Sequence, residues 1–292
     1  MMEIPTVLTT TLTKYLTSLQ ARNMSQHTIT AYRTDVRQFF TWLAENDVTV
    51  TTPHHISRSH LIDYLSHLAH QGRSGVTRAR KLAAIRQYCQ FLVDENRLPA
   101  SPAATIAMPK KERKSRVFLR VDEYLRLLHA AAGHSRDYVI LQLFLQTGLR
   151  VQELTRLLLT DVDLDGQTIL IHGKGNTQRT VSLEKKATQA LCAYLSDRPR
   201  SIDQHLFLNY QGTGLSVRGV MDIVQKYCKL AGITKQCSCR SLRYTFAKHK
   251  AAKGFTPRQI QVLLGHEQVE TSLIYVHPAT TDARKLMEQT SL

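Results

Sequence analysis

Two arginines, a histidine and a tyrosine in the second half of the chain have contexts that suit chemistry on a phosphate. Arg150 stands in Thr147-Gly-Leu-Arg-Val-Gln-Glu-Leu154, just after a glycine and at a helix start. Arg243 lies in Leu242-Arg-Tyr-Thr-Phe-Ala247, and His266 follows Leu263-Leu-Gly265. Tyr275 comes nine residues after His266, in Thr271-Ser-Leu-Ile-Tyr-Val-His277. Opening a phosphodiester without a metal needs an in-line nucleophile, cations on the non-bridging oxygens and a proton for the leaving oxygen. Arginine is the best phosphate clamp because its planar fork donates two hydrogen bonds at once. Tyrosine can attack and leave again, since phenolate is a tolerable leaving group. Each residue alone has an ordinary reading: a surface charge, a packed ring, a helix end.

Taken in order, these motifs resemble the tyrosine recombinase family, which includes phage integrases and the Xer recombinases of bacteria. The family patterns are TGLRxxEL, a hairpin lysine, HxLRHTFA, LGH and a final tyrosine. This sequence has TGLRVQEL at 147–154, GKGN at 173–176, RSLRYTFA at 240–247, LLGH at 263–266 and TSLIY at 271–275. The resemblance implies that Arg150 and Arg243 clamp the scissile phosphate, with Glu153 supporting them. It makes Lys174 the general acid for the 5′ oxygen; the competing reading of Lys174 is a turn residue. His266 would hydrogen-bond the phosphate or the phenolic oxygen, and Tyr275 would form a 3′-phosphotyrosyl bond. It implies no metal and no other cofactor. The implied partner is double-stranded DNA at a specific recombination site, bound by a homotetramer. A second recombinase or an accessory protein is a further partner it allows.

One position departs from the pattern. Arg240 stands where most members have a histidine, three residues before the second arginine. Arginine cannot exchange a proton near neutral pH, so Arg240 is a candidate phosphate cation and not a base. Tyr244 replaces another common family histidine. His249 falls about 240° round the helix from Arg243, off the Arg240–Arg243 face. The departure keeps open a catalytically weakened accessory protein of the same fold. A type IB topoisomerase-like enzyme, with the same phosphotyrosine chemistry, is a second alternative.

Charge agrees with a polyanionic partner. Lys and Arg number 39 against 23 Asp and Glu, a net charge of +16 in 292 residues. Such an excess gives sequence-independent affinity for nucleic acid through counterion release. The five cysteines are an odd number in a large chain, so no disulfide framework is expected. Cys237 and Cys239 form a lone C-x-C without the further ligands zinc needs. No run approaches the roughly 18 apolar residues of a membrane span. The stretch from Met1 to Thr13 lacks the pattern of a secretory signal. A cytoplasmic, nucleoid-associated protein without membrane contact is expected.

The elements that must position these residues read as mainly α. Thr6 to Gln20 is a first helix, with Val7, Leu8, Leu12, Tyr15, Leu16 and Leu19 near helical spacing. Ser25 caps a second, with Ile29, Tyr32, Val36, Phe39, Phe40 and Leu43 on one stripe. Ser57 or Ser59 caps a third, carrying Leu61, Ile62, Leu65 and Leu68. A fourth runs from about Ser74 to Glu95, with Val76, Leu82, Ile85, Cys89 and Leu92 inward. Four helices with short links make a bundle. Arg73, Arg78, Arg80, Lys81 and Arg86 lie on or beside the fourth helix with few acids near them, and are candidates for DNA backbone contact.

Lys110 to Arg120 reads KKERKSRVFLR, six basic residues against one acid. With Pro102 and Pro109 upstream it predicts an extended linker, in which Lys110, Lys111, Arg113 and Lys114 would lie on phosphates. Beyond it, helices are expected at Asp122 to Ala132, Arg136 to Thr147 and Arg150 to Leu158, and again from about Glu184, Val217, Arg240, Pro257 and Thr271. Thr168 to Ile171 and Arg179 to Ser182 are short β-type runs joined by a glycine-rich turn. The expected organisation is a helical core-binding domain at 1–108, a basic linker at 109–120 and a catalytic domain at 121–292. The catalytic domain is mainly α with a small antiparallel sheet, and the two domains form a C-shaped clamp on DNA. Residues after Pro278 would dock on a neighbouring protomer or fray.

Overall fold

The computed structural model describes residues 3–47, 49–110, 116–173 and 177–265. The chain divides into two compact units, residues 1–114 and 115–292.

The first unit is a bundle of α1 (Thr6–Ala21), α2 (Gln26–Asn46), α3 (Arg58–His70) and α4 (Gly75–Asp94). Serines open three of them. The side chains of Ser25, Ser57 and Ser74 accept from the amides of Thr28, His60 and Thr77. Each satisfies a first-turn donor that has no partner within its helix. The interior is aromatic: Tyr88 meets Tyr15 and Phe40 edge-on, with centroids 5.6 and 5.4 Å apart. The buried hydroxyls of Thr11 and Tyr88 hydrogen-bond each other at 2.7 Å.

Three residues expected inside are exposed: Val7, Ile62 and Val76. The buried stripes run through Leu8, Leu12 and Tyr15, through Leu61, Tyr64 and Leu68, and through Gly75, Ala79 and Leu82. Each misplaced residue adjoins its stripe in sequence, about 100° away around the helix.

The second unit is built on α6 (Ser135–Thr147), whose Val139, Ile140, Leu141, Leu143, Phe144 and Leu145 are all buried. A helix apolar on every side belongs at the centre. It packs against α5 (Val121–Ala131), α8 (Lys185–Asp197), α9 (Val217–Leu230) and α10 (Cys239–Ala252). The last described helix, α11 (Pro257–Leu264), packs on α10 through Phe246, Ala247, Ile260 and Leu264.

Between α6 and α8 lie the short α7 (Val151–Thr155) and a three-stranded antiparallel sheet in the order β1-β2-β3. Its strands are Val162–Asp163, Thr168–His172 and Gln178–Ser182. Strand β2 pairs with β3 from Thr168 opposite Ser182 to His172 opposite Gln178. Beyond that register the amide of Gly173 donates to the carbonyl of Thr177 at 2.7 Å. The helix expected to reach Leu158 stops at Thr155. There the chain turns to pair with residues 204–206: Leu206 donates to Leu157 at 2.7 Å, and Leu159 to Gln204 at 2.9 Å.

Candidate active site

The site begins with a turn. Helix α6 ends at Gly148, which is left-handed at φ +64°. A β-carbon there would lie 2.5 Å from Cδ1 of Phe246 and 2.6 Å from Cδ2 of Leu264. Glycine therefore serves both the backbone angle and the close approach of α10 and α11. Two residues on, Arg150 is the N-cap of α7. Its amide donates to Oε2 of Glu153 at 2.9 Å, and its Nη1 to Oε1 at 2.6 Å. Its Nη2 donates to the carbonyl of Gly265 at 3.1 Å. The Arg150 side chain stays 43% exposed.

Arg243, on α10, is buried. Its Nη1 donates to the Gly148 carbonyl at 2.6 Å and its Nη2 to the Leu264 carbonyl at 2.8 Å. Arg243 and Arg150 thus hold consecutive carbonyls at the end of α11. Nη1 of Arg243 also lies 4.0 Å from the Glu153 carboxylate. The two arginines, 93 positions apart in sequence, are brought to one carboxylate.

Sequence reasoning did not single out Arg179. From β3 it forms a two-pronged pair with Glu153, Nη1 to Oε1 at 3.0 Å and Nη2 to Oε2 at 2.8 Å. Its register supplies a signal: Arg179 shares the inward side of β3 with the buried Val181, and a charge there needs a partner. Burial pushes the Glu153 carboxyl up, but Arg179, followed by the amide and guanidinium of Arg150, more than offsets this. The result is a pKa of about 2, so Glu153 is ionised.

Arg240 lies one helical turn before Arg243 and is exposed. Its guanidinium is 5.8 Å from the ring of Tyr244, which also lies 4.8 Å from the guanidinium of Arg116. His249 turns elsewhere: its Nε2 is 3.2 Å from the Leu119 carbonyl, and its ring is 6.0 Å from that of Tyr124. Burial lowers its pKa below the ordinary histidine value. Lys174, His266 and Tyr275 lie outside the described residues, as do Lys111, Arg113 and Lys114. Lys110 is described and exposed.

The basic residues of α4 divide. Arg73 is exposed. Lys81 is buried, with its ammonium 3.2 Å from Oδ1 of Asp35 and bonded to Gln38. Arg80 also pairs with Asp35 and stays half exposed. The balancing acid is on α2, so the pairing is between helices and not along α4. Arg86 donates to the carbonyls of Ala103 at 3.2 Å and Ile106 at 2.5 Å, holding the segment after α4. Arg78 is half-buried. Arg73, Thr77, Arg80 and Lys81 line a groove of about 830 Å³ that also takes in Gln38, Trp42 and His67.

Cys228, Cys237 and Cys239 are buried free thiols. Among the described residues no group of three or more His, Cys, Asp or Glu could hold a metal ion. No described helix is long and apolar enough to cross a membrane.

Residues 117–282 match the phage integrase family, and residues 12–96 match the phage integrase N-terminal SAM-like domain. The chain belongs to the phage integrase family of tyrosine recombinases. It is 34% identical over 276 residues to tyrosine recombinase XerC of Thermodesulfovibrio yellowstonii, covering 90% of this chain and 89% of that one. It is 35% identical over 273 residues to XerD of Bifidobacterium longum, covering 88% of each. Among solved structures, the XerA recombinase matches at 27% identity with a TM-score of 0.56, over 97% of this chain and 98% of that one. XerH bound to a palindromic difH substrate matches in fold, with a TM-score of 0.76 at 23% identity, over 93% and 81% of the two chains. The expected fold class, a mainly helical protein with a small antiparallel sheet, is borne out. So is the expected activity: this tyrosine recombinase is a site-specific DNA recombinase, and nothing favours the topoisomerase or decayed-accessory alternatives.

Proposed function

We propose that this recombinase binds double-stranded DNA at a specific site as a homotetramer and exchanges strands through Tyr275. Residues 1–108, the basic linker 109–120 and residues 121–292 all take part in binding the duplex. Arg73, the basic residues of α4 (Arg78, Arg80, Lys81 and Arg86) and the linker's Lys110, Lys111, Arg113 and Lys114 serve the backbone phosphates. A second recombinase or an accessory protein is a further partner, and the cytoplasmic nucleoid is the site of action.

In the cleavage step Arg150 and Arg243 bind the non-bridging oxygens of the scissile phosphate. The Tyr275 oxygen attacks phosphorus as its hydroxyl proton leaves to water, and the bond to the 5′ oxygen breaks. Lys174 gives its proton to that oxygen, leaving a 3′-phosphotyrosyl bond and a 5′ hydroxyl. His266 hydrogen-bonds the phosphate or the phenolic oxygen. Arg240 adds a third cation against the charge of the phosphorane. Rejoining reverses the step, with a 5′ hydroxyl attacking the phosphotyrosine. The phosphodiester energy stays in the protein–DNA bond, so neither metal nor nucleotide is consumed.

The observation that carries this reading is the pair Arg150 and Arg243, held on one ionised carboxylate and on consecutive carbonyls directly before His266. Preorganised donors of this kind stabilise charge that develops in the transition state. The test uses DNA recovered from the protein in its host cells, rebuilt as a nicked duplex in which the cleaved fragment diffuses away. A covalent protein–DNA band in EDTA supports the reading. A band that needs magnesium, or no band, contradicts it.

A further inference from the structure

One carboxylate at this site serves three guanidiniums. Glu153 is buried, and Arg150, Arg179 and Arg243 all approach it. Their contacts are unequal. Arg179 takes both oxygens with a parallel fork, whereas Arg150 places a single guanidinium nitrogen on Oε1 and Arg243 stands off at 4.0 Å. The fork is the strongest form of this interaction. The Arg179 side chain is 15% exposed, against 43% for Arg150.

We propose that Arg179 is a positioning residue for strand cleavage: it is the counter-ion of Glu153, which leaves Arg150 and Arg243 their charge for the phosphate. This rests on the recombinase reading of those two arginines. The charge arithmetic is simple. Three guanidiniums and one carboxylate leave a net of two positive charges. Without Arg179 the cations left beside Glu153 among the described residues are Arg150 and Arg243, and the net falls to one. In a partly desolvated site that difference weighs more than it would in water.

Two further observations agree. Among the groups that hold the Glu153 carboxyl low, Arg179 contributes most after the opposing effect of burial. The same guanidinium lies against Gly265: a β-carbon there would sit 3.0 Å from Nη1 of Arg179. Gly265 is left-handed at φ +61°, and its carbonyl accepts from Arg150. One side chain from β3 thus touches the carboxylate that orients Arg150 and the residue whose carbonyl Arg150 holds. Stability alone is a poor reason for this arrangement, because a buried ion pair replaced by apolar groups of similar size is often no less stable.

The experiment measures single-turnover adduct formation on the nicked duplex, with folding of each variant followed by circular-dichroism melting. The counter-ion role predicts that Arg179→Gln, with one net charge left, is about 100-fold slower than the natural protein. Arg179→Lys keeps the charge without the fork and loses less than about tenfold. Arg179→Gln combined with Glu153→Gln restores the net charge of two and is at least about tenfold faster than Arg179→Gln alone. A purely structural role predicts a different pattern: Arg179→Lys as slow as Arg179→Gln, and a double variant no faster per folded molecule. Either result overturns the proposal. Should Arg179→Gln fail to fold, Arg179→Lys and the double variant decide alone, and a folded form of either that is about 100-fold slow contradicts the counter-ion role. Natural protein that forms no adduct overturns the recombinase reading and this one together. An adduct equally fast in natural protein and Arg179→Gln overturns only this one.

Discussion

Arg243 on α10 donates to the carbonyl of Gly148 at 2.6 Å, tying a buried guanidinium to the turn that launches Arg150. The turn depends on glycine twice, through its φ of +64° and through the side chains of Phe246 and Leu264 that fill the space of a β-carbon. Gly148→Ala is expected to cost roughly 2–4 kcal/mol, from left-handed strain together with overpacking. Urea unfolding checks this: the midpoint falls while the slope stays constant. An unchanged midpoint means that α10 and α11 yield without cost.

Glu153 supplies a pH signature. Its carboxyl is held at about 2, against an ordinary value of 4.5. A depressed carboxyl stabilises the fold fully above its ordinary value, and that contribution is lost as pH falls through the folded value. The shift corresponds to roughly 3 kcal/mol. The stability gap between natural protein and Glu153→Gln is therefore expected to be flat from pH 8 to 6 and to narrow from about pH 5 towards pH 2. Urea midpoints across that range measure it. A gap that is constant with pH contradicts the assignment of Glu153 as an ionised partner of Arg150 and Arg179.

Much of this was legible in the residues. Helical spacing and serine caps placed α1 to α4, and TGLR placed Arg150 after a glycine turn. The β-type run Thr168–Ile171 marked a strand. What escaped were relationships between segments distant in sequence. Asp35 and Lys81 are 46 positions apart, so a search for acids along α4 could not find the partner. Arg179 and Glu153 are 26 apart and joined across two kinds of element. The end of α7 escaped because it is set by pairing with residues 204–206 and not by a local breaker. Strand β1 has two residues and no pattern of its own to read.

The Asp35 cluster predicts a stability effect separate from DNA binding. Asp35→Ala leaves the Lys81 ammonium buried without its carboxylate. Breaking one side of such a pair typically costs about 3–5 kcal/mol. Arg73→Ala, by contrast, is expected to leave melting unchanged and to weaken binding to all duplexes alike, with a shallower salt dependence. Thermal melts and titrations at several salt concentrations separate the two. Asp35→Ala that melts like the natural protein refutes the buried role of Lys81.

Arg240 makes no ion pair among the described residues, and its guanidinium rests near the Tyr244 ring. Its charge is therefore available to a phosphate. Losing one transition-state donor typically costs about 10²–10³ in rate. Arg240→Ala is expected to slow adduct formation by that factor, and Arg240→His is not expected to exceed the natural protein. An Arg240→His variant that is clearly faster on the same substrate means that the position is a weakened histidine site and not a working cation.

The covalent bond to DNA is proposed to form at Tyr275. Tyr275→Phe removes the hydroxyl and keeps the ring, so folding and DNA binding persist. On the nicked duplex the natural protein is expected to accumulate a covalent adduct, and Tyr275→Phe to form none at equal occupancy of the DNA. Adduct from Tyr275→Phe, resolved by denaturing electrophoresis, would assign the nucleophile to another residue and contradict the account.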